Sequence, residues 1–261
     1  MGLGEWLLIK LSRDPSAGDY AGATLGYNDS NALDFLIKTV PNFKQIIRGK
    51  RILDYGCGWG WQSVLMLRSG AKEIVGLEIV PESREKARRK AAEFGFSDRI
   101  MIKELLDEKE YGTFDLVLSS SSFEHFADPA AELRNMGKAV APGGSIIISF
   151  AELWFSAHGS HMNFFCRIPW MNVLWSEKTL LRVRGRYRND GARRFEEVEG
   201  GLNRMTLGKF VRIIRASGME IRWVKFYPTK GLPLVHKLPV VREFLVSAAA
   251  CELMRRPESG W

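Results

Sequence analysis

Cysteine is scarce in this chain: Cys57, Cys166 and Cys251 are the only three among 261 residues. They are too few and too scattered for a disulfide framework or a thiolate metal centre, so a reducing cytoplasm is the expected setting. Long apolar runs are missing as well. No uninterrupted stretch approaches the roughly 18 residues that a membrane span needs. The first apolar run, "WLLIKL", is short and follows Glu5, so no signal peptide is expected. The opening "MGLGEW" puts Trp6 where a myristoylation signal wants Ser or Thr. Neither repeats nor low-complexity segments occur, and no RRM, KH or zinc-knuckle pattern is visible.

What is present suits a folded protein. Apolar residues make up 46% and charged residues 26%, and the length fits one large domain or one domain with a sizeable insertion. The formal charge is +8, and much of the arginine gathers in "LLRVRGRYRNDGARRF", with Arg182, Arg184, Arg186, Arg188, Arg193 and Arg194. Such a cluster serves either an anionic partner (a phosphorylated or carboxylated substrate, RNA, a membrane surface) or a solvated face.

Residues 1–48 form an N-terminal helical segment expected to cover a ligand site, with "SNALDFLIKTVPNF" its clearest helix and Ser30 a candidate N-cap. From 49 to 150 strands and helices alternate. "RILDY", "EIVGLEI", "RIMIKEL", "FDLVLSS" and "SIIISF" read as strands; "WQSVLMLRSG", "PESREKARRKAAEFG" and "ADPAAELRNMGKAVA" read as helices, and "PGG" reads as the turn into the fifth strand. That rhythm implies an α/β fold: a Rossmann-like, doubly wound, mostly parallel sheet with helices on both faces. Over 151–205 the rhythm fails, and an aromatic, Arg-rich stretch reads as a cap inserted after strand five. Residues 206–261 complete a seven-stranded sheet. There "TLGKFVRIIRASG" is a helix capped by Thr206, "MEIRWVKFYP" is a sixth strand, and "LPVVREFLVSAAACELMRRP" reads as helix followed by edge strand.

In "RILDYGCGWGWQS" an apolar run ends in Asp54 and then places glycine at 56, 58 and 60. Glycines this dense weaken strand and helix alike, but they let main chain approach a ligand where a strand turns into a helix. The spacing is G-x-G-x-G rather than the G-x-G-x-x-G of dinucleotide sites, and counting from Gly56 the last slot of that pattern holds Trp61. Asp54 is an awkward neighbour for a diphosphate and a good one for a cation.

These residues resemble the first motif of class I S-adenosylmethionine (SAM)-dependent methyltransferases. "VGLEIVPE" resembles the second motif, "FDLVLSSSSFEHFADP" the fourth-strand motif of the ubiquinone/menaquinone-methyltransferase-like branch, and "APGGSIIIS" the turn into strand five. The four stand in register over roughly residues 45–150. The resemblance implies SAM as cofactor, with S-adenosylhomocysteine as product. It places Asp54, Gly56, Cys57, Gly58 and Gly60 at the amino-acid end of SAM. Glu78 and Ile79 fall at the ribose, where a bidentate carboxylate matches two hydroxyls. Glu104 and Leu105 fall at the adenine, with Asp107 competing for the role of Glu104, and Ser120 lies beside the methionine portion.

Methyl transfer from a sulfonium is an in-line displacement, which leaves the protein to position the acceptor and exclude water. A hydroxyl acceptor also needs a base, and histidine suits that at neutral pH. His125 follows strand four; His158 and His161 open the insertion; His236 reads as structural. His158 and His161 are three apart, as metal ligands on a helix would be, yet Gly159 opposes a regular helix and no acid or cysteine completes a site, so no metal is expected. Trp154, Phe155, Phe164, Phe165, Trp170 and Trp175 build the cap's own core or wall an acceptor pocket, and Trp154, Trp170 and Arg186 are the candidate acceptor contacts. The expectation is therefore methyl transfer to a small-molecule or glycan acceptor, anionic if the arginines bind it, at oxygen with a histidine base. The rivals are RNA methylation, a SAM-binding protein without turnover, and a nicotinamide dehydrogenase on the same fold.

Overall fold

The computed structural model describes residues 2–17, 28–229 and 241–255. His236 lies outside them. A seven-stranded sheet is ordered β3-β2-β1-β4-β5-β7-β6. Its strands are β1 (Arg51–Tyr55), β2 (Glu73–Leu77), β3 (Ile100–Lys103), β4 (Phe114–Ser120), β5 (Val140–Ala151), β6 (Glu220–Pro228) and β7 (Val246–Met254). The first five pair in parallel, and β7 runs antiparallel to both β5 and β6.

Ahead of β1 come α1 (Leu3–Leu11), α2 (Asp34–Thr39) and α3 (Phe43–Ile46); α4 (Trp61–Arg68), α5 (Pro81–Glu93) and α6 (Pro129–Ala139) cross between the early strands. The cap contains α7 (Met171–Leu174) and α8 (Glu177–Arg184), and α9 (Leu207–Ala216) and α10 (Arg242–Leu245) precede β6 and β7. Short Val/Ile/Leu strands suit a sheet covered on both faces. One face carries α2 to α5, packing Leu36, Phe43, Val64 and Ala87 on Ile52 and Ile74. The other carries α6 and α9, packing Leu133, Met136, Phe210 and Ile214 on Val117 and Ile148. A third core lies inside the cap, where Leu8 of α1 joins Phe165, Leu180 and Phe195.

Several helix ends follow their sequence signals. Thr206 accepts from the Lys209 amide at 3.0 Å, Asp128 accepts from Ala130 and Ala131, and Pro81 opens α5. Three expectations change. Ser30 is not a cap: its hydroxyl bonds Asn28 Oδ1 at 2.6 Å inside a turn, and α2 begins at Asp34. The bulge after Phe114 absorbs Pro142–Gly144 into β5, because Val140 already pairs with Phe114 before Ser145 pairs with Leu116. Finally, β7 is interior, and β6 forms the edge on that side of the sheet. The alanines and Cys251 of β7 fit a strand with neighbours on both sides.

Candidate functional site

The loop between β1 and α4 sits at the C-terminal end of the central strand, where open α/β sheets bind ligands. Gly56 has φ +83°, and a Cβ there would stand 2.6 Å from Ser122 Oγ, so only glycine lets this loop close on the one after β4. Gly58 has φ +54°, and no described residue lies within 4 Å of where its Cβ would be, which leaves its backbone open on that side. The Gly56 and Cys57 amides donate to Leu77 O, both at 2.9 Å, fixing the loop against the end of β2.

Asp54 lies beneath this loop rather than in its mouth. It is buried and accepts from Ser63 Oγ at 2.5 Å. Burial pushes its carboxyl up to about 6, against the lowering effect of the Ser63 bond, and the charge of Glu78 adds to the rise. The Cys57 thiol also turns inward: a Cβ on Gly76 would meet its sulfur at 2.7 Å, and burial pushes the thiol pKa well up. Neither side chain therefore faces the mouth of the loop. Ser120 is similarly engaged, its hydroxyl accepting from Gln62 Nε2 at 3.0 Å.

Glu78 does face the loop. One oxygen accepts from the Gly58 amide at 3.0 Å and the other from the Val80 amide at 2.9 Å. Each oxygen keeps a second lone pair for a hydroxyl. Next to it, Arg84 donates to Glu78 O and Ile79 O at 2.8 Å and pairs with Glu104 at 2.8 Å, joining the loops after β2 and β3. Ile79 and Leu105 are bare there, at 77% and 75% exposure. Two naked apolar side chains beside a carboxylate and an open glycine cradle fit a nucleoside with a flat base and a ribose diol. Arg84 and Ser63 escaped the reading of the sequence; a lone arginine or serine within a helix carries no local pattern.

Beyond β4 and β5 four titratable side chains meet. The rings of His125 and His161 are 5.5 Å apart. His125 Nδ1 lies 2.7 Å from Gly201 O; a carbonyl can only accept, so in the neutral ring Nδ1 carries the proton and Nε2 the lone pair. Glu124 Oε1 is 4.0 Å from that Nε2, while Glu124 Oε2 is buried with no partner. Burial raises the pKa of Glu124. His161 presents Nε2 to Glu152 O and Nδ1 to Glu152 Oε2, both at 3.3 Å. Burial first, then the charge of Glu124, pushes Glu152 up to about 7; burial first, then His125, pushes His161 down to about 4. Both shifts favour the neutral forms of Glu152 and His161.

The return leg of the cap holds this cluster. Asn203 donates through Nδ2 to Phe123 O at 2.8 Å and Phe126 O at 2.9 Å, and its amide donates to Glu124 O at 2.9 Å. Glu124, Glu152 and Asn203 were missed as site residues, although Glu152 could have been found from its place at the end of β5.

Of the candidate bases, the structure brings His125 and His161 together and leaves His158 exposed, outside that contact. Trp154 turns into the cap core against Phe195 at 4.8 Å, and Trp170 starts α7 with its amide on Ala157 O. Arg186 is exposed past the end of α8, where its charge acts on Asp14. The aromatics mainly fill the cap, since a segment of this size needs a core of its own.

A family model described as a methyltransferase domain matches residues 29–220. The ubiquinone biosynthesis O-methyltransferase of Neisseria meningitidis serogroup C is 38% identical over 106 residues, 40% of this chain and 44% of that protein. Its counterpart from Idiomarina loihiensis is 33% identical over 112 residues, 42% of this chain and 46% of that protein. The chain thus spans less than half the length of these curated relatives. Among solved structures, an S-adenosylmethionine dependent methyltransferase from Mesorhizobium loti superposes with a TM-score of 0.52 at 19% identity, over 80% of this chain and 92% of that one.

Proposed function

Because this chain belongs to the methyltransferase-domain family, we propose that it methylates a hydroxyl of a small-molecule or glycan acceptor, with SAM as donor and His125 as base. When bound, SAM supplies an electrophilic methyl group on a sulfonium. The Gly56–Gly60 loop, Glu78, Ile79, Glu104 and Leu105 would hold it, in keeping with the open cradle at Gly58 and the free lone pairs of Glu78.

The observation that carries the reading is the His125 tautomer. Gly201 occupies Nδ1, so the lone pair on Nε2 is free to accept a hydroxyl proton, and Glu124 stands 4.0 Å away to stabilise the resulting imidazolium. An acceptor hydroxyl would donate to Nε2, and the cap would keep water from the reacting oxygen. The relatives whose names specify O-methylation support oxygen as the target. RNA is disfavoured because Arg182, Arg184 and Arg194 spend their charge on Glu5, Asp190 and Glu197.

The test is incubation of purified protein with methyl-labelled SAM and pools of phenols and saccharides. His125→Asn is expected to lower kcat by about 10²- to 10⁴-fold while SAM binds as before. Label found only in RNA or protein would overturn the acceptor class; unchanged turnover would overturn the base.

A further inference from the structure

We propose that α1 and α7 together form a docking surface for an anionic lipid bilayer. Of the nine residues of α1 only Glu5 and Lys10 are charged or polar. Its inner side is consumed by the cap, with Leu8 fully buried and Ile9 packed on the same core. Leu3, Leu7 and Leu11 then form a stripe at i, i+4, i+8 on the outside, with Trp6 beside it; their exposures run from 42% for Leu7 to 81% for Leu3. The Trp175 indole donates to Gly4 O at 2.9 Å, which brings Val173 and Leu174, half or more exposed, up to the start of the helix. A surface helix that is apolar on both sides is anomalous for a protein surrounded by water, and six bare apolar side chains in one region mark an interaction site.

Charge identifies the partner. Over residues 3–14 and 167–190 there are eight basic residues against four acidic ones. All four acids are engaged: Glu5 by Arg182, Glu177 by Arg204, Asp190 by Arg184, and Asp14 by Ser16. Lys10 on α1, Arg167 ahead of α7, Lys178 on α8 and Arg186 past its end are exposed. Leucine and tryptophan rimmed by lysine and arginine is the composition of a helix lying in the headgroup layer, apolar side down and cations on lipid phosphates. A second copy would bring the same positive rim against itself, and nucleic acid would gain nothing from four leucines and a valine. The helix is far too short to span; no described helix is long and apolar enough to cross a membrane.

The experiment is co-sedimentation of the full chain with vesicles. It should bind vesicles of phosphatidylglycerol and phosphatidylcholine in equal parts, bind pure phosphatidylcholine weakly, and lose affinity as salt rises. The double variant Leu7→Ser/Leu11→Ser changes only exposed positions, so its circular dichroism and melting temperature should match the parent while anionic-vesicle binding falls about tenfold or more. Lys10→Gln/Lys178→Gln should lower binding to anionic vesicles only. No binding to anionic vesicles, or binding that the leucine double variant leaves intact, would overturn the proposal. So would a dimer in light scattering that the leucine variant converts to monomer, or salt-sensitive RNA retention that the leucine variant abolishes.

Discussion

Asp54 and Glu78 are both acids at the ends of neighbouring strands, yet their surroundings give them different work. Asp54 is sealed under the glycine loop on Ser63, and burial raises its carboxyl to about 6 from 3.8. The folded state therefore holds the proton more tightly than the unfolded chain does. Its contribution to stability is complete below about pH 4 and is lost as pH rises through 6. Asp54→Asn should remove that slope: between pH 4 and 7 the variant should gain up to about 3 kcal/mol relative to the parent, read from urea midpoints at each pH. Glu78 instead grips the Gly58 and Val80 amides at the open side of the loop. Glu78→Ala should weaken SAM binding by about ten- to a hundredfold in calorimetry, as expected for losing hydrogen bonds to a charged group. Both acids were legible because they stand at fixed offsets from a glycine pattern. Glu124 was not, since a single carboxylate in a loop looks like any surface acid until the cap closes over it.

At the level of elements, the return leg of the cap and the loop after β4 act as one unit. Asn203 bonds two carbonyls of that loop, and Gly201 fixes the His125 ring. Asn203→Ala leaves the part-buried carbonyls of Phe123 and Phe126 without their donor. The expected cost is about 1–3 kcal/mol in denaturant unfolding, with faster amide exchange over residues 121–126 and a fall in kcat. Strand and helix identities from 49 to 150 were readable because each element has its own period and its own stop signal. The partnership between residues 200–205 and the β4 loop was not, because nothing in either segment names the other. The same holds for the cap aromatics: their number announced a hydrophobic body, and only packing shows that Trp154 meets Phe195 edge to face.

Across the whole molecule, three compact cores share one chain, and each holds one cysteine: Cys57 on one face of the sheet, Cys251 on the other, Cys166 in the cap. All three thiols are free and buried. Native protein should therefore react slowly with Ellman's reagent and release three equivalents only in denaturant. Separate rates for the three would report on which core opens first. The order of the sheet has a kinetic consequence of its own. Among the described residues β6 pairs with β7 alone, and translation delivers β6 first. For the seconds the ribosome needs to add the next stretch, "EIRWVKFYP" is a sticky ribbon with no mate, so this protein ought to lean on chaperones most heavily just before its synthesis reaches the alanines of β7.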